Sequence, residues 1–148
     1  MRAVEERLNG AWWLLRLGLA ASIFVAGLDK FFDRLAQWSM YLSPAAEKLL
    51  PVSGDAFLRA AGVVEMVIGV LVLTRWTRVG AYALAAWLLA IAANLALAGS
   101  FWDLVMRDAV NALAAYTLGR LTEWRAALAP RAAPLRPPAV QQPGAAKA

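Results

Sequence analysis

Apolar side chains fall along this chain into four long runs separated by short polar connections. The first, Trp12 to Leu28, is interrupted once, by Arg16; the second, Ala56 to Thr74, carries Arg59 near its start and Glu65 in its middle. The third, Val79 to Ala98, holds no charge, and Asn94 is its one strongly polar side chain. A helix needs about 20 apolar residues to cross about 30 Å of hydrocarbon, and the third run meets that length. A soluble amphipathic helix would show a polar residue every third or fourth position, whereas this run is apolar on every side. The fourth, Phe101 to Leu121, contains Asp103, Arg107, Asp108 and Asn111. Each Arg or Asp at a helix centre costs about 2.5 to 3.5 kcal/mol on insertion, so this run needs neighbouring helices to pair its charges. The pattern predicts an all-α, membrane-embedded antiparallel four-helix bundle with spans near 12–28, 56–74, 79–98 and 101–121. Arg16 breaks the apolar stretch a cleaved signal peptide would need, so the first run is read as a retained span.

The connections refine the arrangement. Arg75 to Arg78 and Gly99 to Ser100 are tight and force antiparallel neighbours. The first loop is longer, and its FFDRLAQWSMYL and SPAAEKLLP segments predict short interfacial helices broken at Pro44 and Pro51, capping the outer mouth of the bundle. With the amino terminus inside, nine Lys and Arg fall on the cytoplasmic side against Lys30, Arg34 and Lys48 outside. This asymmetry predicts a multi-pass protein of the bacterial cytoplasmic (inner) membrane with both termini cytoplasmic. Trp12, Trp13, Trp76 and Trp124 form an inner belt, Trp38 and Trp102 an outer one, and only Trp87 lies at mid-depth. The four-span domain is expected over 1–125, and the Pro/Ala-rich residues 126–148 are expected to be a disordered cytoplasmic tail.

Composition narrows the chemistry. Of 148 residues, 61% are hydrophobic and 17% charged, against roughly 45 to 50% apolar in soluble domains, which leaves no room for a large extramembrane domain. Cysteine and histidine are both absent. That excludes disulfide exchange, histidine-ligated haem and zinc proteases of the His-Glu type, and no metal site is expected. The net charge of +5 suggests nucleic acid until the cations are located. They lie between the apolar runs, so the expected partner is the lipid bilayer and not nucleic acid.

The charges within the runs are the candidate site. Arg16, Ala20, Ile23, Gly27 and Lys30 recur at helical spacing and form one stripe. Ala61, Gly62, Glu65 and Gly69 form another, whose small residues let a neighbouring backbone approach the carboxylate. Arg107, Asp108 and Asn111 share a sector of the fourth helix and must also face inward. Counted from the cytoplasmic ends at about 1.5 Å per residue, Arg16 lies about 6 Å in, Glu65 about 13 Å, Asn111 about 15 Å, and Arg107 and Asn94 about 20 Å. The expected pairs are Glu65 with Arg16, Arg107 being the alternative partner, and Asp108 with Lys30 or Arg107. Such pairs either fix helix register or mark a functional site. The small-residue faces permit a homo-oligomer without requiring one.

The first run ending in GLDKFF, the second reading GVVEMVIGVLVLTRWTRVGAY, an apolar third and a fourth near RDAVNALAAYTLGRL together resemble the DoxX family of small bacterial membrane proteins, over about residues 11–125. The resemblance implies an accessory subunit of a quinone-linked redox or sulfur and oxidative-stress system, with a partner oxidoreductase subunit and quinone as a non-covalent cofactor. It places Arg16, Lys30, Glu65 and Asp108 at the family's recurrent polar positions. Lacking Cys and His, this chain is expected to be a noncatalytic subunit, with Arg16, Glu65 and Arg107 around a quinone head group or a small sulfur oxyanion. Two other readings stay open from the residues: a small proton-coupled transporter or permease using Glu65, and a noncatalytic scaffold whose charges hold helices together.

Overall fold

Several helix ends can be traced to a local cause in the computed structural model, which describes residues 2–128. The first helix, α1, runs Arg2–Asp29, and a 3-10 turn covers Trp38–Tyr41. The short helix α2, Pro44–Leu49, starts because the Ser43 hydroxyl accepts from the Ala46 amide while Pro44 supplies a preset φ. Pro44 therefore opens this helix, where the sequence pattern suggested a break. Ser53 caps α3, Gly54–Leu73, in the same way through the Ala56 amide. The Thr77 hydroxyl donates to the carbonyls of Val72 and Thr74 at 2.9 and 2.8 Å, which ties the start of α4, Thr77–Ala98, to the end of α3. Gly99, at φ 69°, ends α4 in the left-handed region that glycine adopts without strain, and α5 follows over Trp102–Leu128. The last helix thus continues to Leu128; the rest of the expected tail lies outside the described residues.

The fold is all-helical, and α1 packs on α3, α3 on α4, α4 on α5 and α5 back on α1. Among the described residues, three segments are long and apolar enough to cross a membrane: Glu6–Asp29, Gly54–Leu73 and Thr77–Ala98. The α5 helix, loaded with Asp103, Arg107, Asp108, Arg120 and Glu123, is not among them. Large apolar side chains are spread over the outer surface as well as the core. Ala20, Ala81 and Ala115 are fully buried, while Leu14, Leu97, Leu113 and Val110 point outward, each more than 60% exposed. Water would penalise so much exposed Leu and Val, whereas hydrocarbon accepts it. The chain is a small integral membrane protein by this apolar surface and these three helices.

Glycine sets the closest approach. A Cβ added at Gly27 would sit 2.5 Å from the Gly62 carbonyl oxygen, and one at Gly62 would sit 2.5 Å from the Gly27 carbonyl oxygen. One turn pair further along, a Cβ at Gly69 would lie 3.0 Å from the Ala20 carbonyl oxygen. Thus α1 and α3 cross backbone to backbone, in the register that sets Gly27 opposite Gly62 and Ala20 opposite Gly69.

Candidate functional site

That close crossing brings the end of α1 over the middle of α3. The Lys30 ammonium donates to Glu65 Oε2 at 2.6 Å, and the two side chains are 6% and 1% exposed. The other carboxylate oxygen, Oε1, accepts from the Trp87 indole of α4 at 3.1 Å. Both oxygens of Glu65 are therefore occupied by donors. Lys30 also lies 3.6 Å from the centre of the Trp38 ring, a cation–π contact that helps hold the ammonium away from water.

The loop above this group is fastened at two edges. At the end of α1, the buried Asp29 carboxylate accepts from the amides of Arg34, Leu35 and Ala36 and from the Trp38 indole, the last at 2.9 Å. On α4, Asn94 donates to the Tyr41 carbonyl at 2.6 Å and accepts from the Ser43 amide at 3.1 Å. The Tyr41 ring in turn meets Phe101 edge-on, with centroids 5.0 Å apart.

Beneath the loop is a cavity of about 330 Å³, in the range of small-molecule pockets. Its polar wall is Lys30, Glu65, Asn94, Arg107 and Asp108, and the remainder is apolar, with Phe57, Leu58, Trp87 and Ile91 among the lining side chains. Two cations face two anions. Arg107 donates through Nε to Asp108 Oδ1 at 3.0 Å, so each cation already has a carboxylate. Asn111 does not line this cavity; with Arg107 and Asp108 it lines an adjoining space between α1 and α5. Among the described residues no group of His, Cys, Asp or Glu is suited to hold a metal ion.

The expected pair of Arg16 with Glu65 is not formed. Arg16 donates through Nε to the Val72 carbonyl and through Nη2 to those of Leu73 and Thr74, with its guanidinium 4.6 and 4.9 Å from the Trp12 and Trp13 rings. It satisfies the carbonyls left open at the end of α3 and complements the negative end of that helix dipole. The register explains the difference. Arg16 stands level with Leu73, eight residues or about 12 Å from Glu65 along the helix, beyond the reach of the pair. Arg107, the alternative partner, is taken by Asp108, as one of the two options for Asp108 had it, and Lys30 is the partner of Glu65.

Sequence reasoning missed Trp87, Trp38 and Asp29 as parts of the site. For Trp87 a signal existed, since it is the one tryptophan away from both expected membrane belts. Asp29 gave no signal, because a carboxylate beside a lysine at a helix end reads as an ordinary exposed charge.

Compared with known proteins, residues 11–98, more than half of the chain, match the family model described as DoxX. The match takes in α1 from Ala11 through α4, and so includes Lys30, Glu65, Trp87 and Asn94 but not Arg107, Asp108 or Asn111. No curated protein and no solved structure matches the chain. With the family model covering the whole α1–α3 crossing and the polar wall built on it, this chain belongs to the DoxX family.

Proposed function

We propose that this protein is a four-span subunit of the bacterial cytoplasmic membrane, both termini cytoplasmic, that holds a quinone head group beneath its outer loop on behalf of a partner oxidoreductase. The observation that carries the reading is the cavity itself: donors and an ion pair enclosed by apolar helices under a fastened loop. Its charges balance, Lys30 and Arg107 against Glu65 and Asp108. An oxyanion would add an unbalanced negative charge to a wall whose charges already cancel. A neutral ring bearing carbonyl acceptors needs only a free N–H, and Lys30, with three donors and one given to Glu65, has donors to spare. A neutral acceptor therefore fits this donor set better than a sulfur oxyanion.

A bound quinone would supply two-electron, two-proton redox chemistry. The chain's part is to bind, orient and exclude water. Lys30 donates to a carbonyl oxygen, Trp87 fixes Glu65 so that the carboxylate holds Lys30 in place, and Lys30 with Glu65 can hold or pass a proton at that oxygen. Electrons come from elsewhere, since a chain without Cys or His holds no iron–sulfur cluster or histidine-ligated haem of its own. Support for the span count comes from α5, part of whose charge is paired: Asp108 with Arg107, and Glu123 with Arg78 and Arg120 and the Tyr82 hydroxyl.

The test is titration of the purified protein in detergent with a benzoquinone, followed by quenching of tryptophan fluorescence. Wild type should quench saturably, and Glu65→Gln should weaken the affinity by about tenfold or more through loss of Lys30 placement. Quenching that is identical in the variant, or never saturates in the wild type, would sink the assignment.

A further inference from the structure

At the end of the bundle opposite the loop, two cations share one aromatic ring. Trp12 and Arg16 stand one turn apart on α1, and Thr122 and Arg125 one turn apart on α5, so each pair lies on one helix face. The Trp12 indole donates to the Thr122 hydroxyl at 2.7 Å and joins the two faces. The Arg16 and Arg125 guanidiniums consequently lie 4.6 and 3.9 Å from the centre of the Trp12 ring. Among the described residues neither has a carboxylate within ion-pair distance, whereas Lys30, Arg78, Arg107 and Arg120 each have one. Arg7, Arg34, Arg59 and Arg75 also lack one there, but they are exposed and left to water. Arg16 is buried and Arg125 partly so. Arg125 Nη1 is moreover the one buried side-chain nitrogen or oxygen among the described residues with no hydrogen-bond partner.

The carbonyl ends of α3 and α5 offset part of this charge. Each helix end carries about half a negative charge, so the two guanidiniums keep about one positive charge in surplus. A buried donor without an acceptor, beside a like charge, calls for an anion that supplies both acceptor and counter-charge. We infer that Arg16 and Arg125 form a binding site, apart from the cavity under the loop, for a phosphate oxyanion with one negative charge, as in the phosphodiester of an anionic lipid headgroup. Guanidinium matches phosphate through paired N–H donors, and basic recesses between membrane helices take such headgroups. Arg16 keeps Nε and Nη2 on the carbonyls of Val72, Leu73 and Thr74, which leaves Nη1 for the ligand. Arg125, only partly buried, can turn Nη1 toward the same oxygens. The level of the site favours a lipid as the source. Trp13, Trp76 and Trp124 are exposed at this end, as at a membrane–water boundary, and Leu14 and Leu17 are exposed next to Arg16 on α1, where acyl chains would lie.

The test is thermal unfolding of the purified full-length protein in a neutral detergent, titrated with phosphatidylglycerol, with phosphatidylcholine of the same chains, or with inorganic phosphate alone. Phosphatidylcholine has the same phosphodiester but carries its own cation. For wild type, phosphatidylglycerol should raise the midpoint saturably, at concentrations about tenfold or more below those phosphatidylcholine needs. Arg125→Gln should remove that preference, and Arg75→Gln, at an exposed cation of the same end, should leave it intact. Arg125 is the deciding position because Arg16 also completes the end of α3. Circular dichroism confirms helix content, and Arg125→Lys, which keeps the charge but not the paired donors, should weaken phosphatidylglycerol binding and decides if Arg125→Gln does not fold. A matching rise with inorganic phosphate alone supports the oxyanion site and makes its source a soluble phosphate. Equal responses to the two lipids with none to phosphate, a preference that survives at Arg125→Gln, or one lost equally at Arg75→Gln, overturns the inference.

Discussion

Lys30 and Glu65 form an ion pair that is almost wholly out of contact with solvent. Removing one partner of a buried pair leaves an uncompensated charge, typically at a cost of about 3–5 kcal/mol, whereas replacing both by apolar side chains is often close to neutral. We therefore expect Lys30→Met and Glu65→Leu each to lower the thermal midpoint sharply in detergent, and the double variant to be more stable than either single one. Additive losses in the double variant would mean that the two groups do not act as a pair. Trp87→Phe should cost less, about 1 kcal/mol for one hydrogen bond, with Lys30 still in place. The Arg107–Asp108 pair was legible in the sequence because its members are adjacent. Lys30–Glu65 was not, because depth counted from the ends of expected spans ignores the relative shift of two helices.

Between α1 and α3 that shift is set by four small residues. Ala20 and Gly27 are seven apart on one helix, Gly62 and Gly69 seven apart on the other, and the structure sets them face to face. Two matching intervals of small residues are visible in the sequence, and used as a ruler they would have aligned Arg16 with the end of α3 instead of with Glu65. The existence of the long helices was legible from the apolar runs, since those runs and the helices differ by only a few residues at most ends. The hydrogen bonds of the loop were not, because they depend on which backbone amides fall near Asp29. Gly27→Ala or Gly62→Ala should force the helices apart and cost about 1–3 kcal/mol by overpacking. Gly18→Ala, with nothing within 4 Å of the added Cβ, should be neutral or stabilising by up to about 1 kcal/mol. Thermal unfolding of the three variants side by side checks this, and equal losses at all three would remove the close crossing from the account.

For the molecule as a whole, the many leucines and valines exposed on its outer surface call for an apolar surrounding. The charge asymmetry underlies the proposed direction. Because the chain has no cysteine, a single one can be introduced without background. Ala45→Cys in α2 should react with a membrane-impermeant maleimide on intact spheroplasts, and Arg75→Cys in the α3–α4 turn only after the membrane is permeabilised. The reverse pattern would turn the protein over and put the cavity on the cytoplasmic side.

The loop that covers the cavity is pinned along both margins, by Asp29 on α1 and Asn94 on α4, and at the far end of the bundle the Trp12 indole of α1 donates to the Thr122 hydroxyl of α5. A solute approaching the cavity through the loop must unpick that hem, and loosening either margin would loosen the cover over Lys30 and Glu65 together.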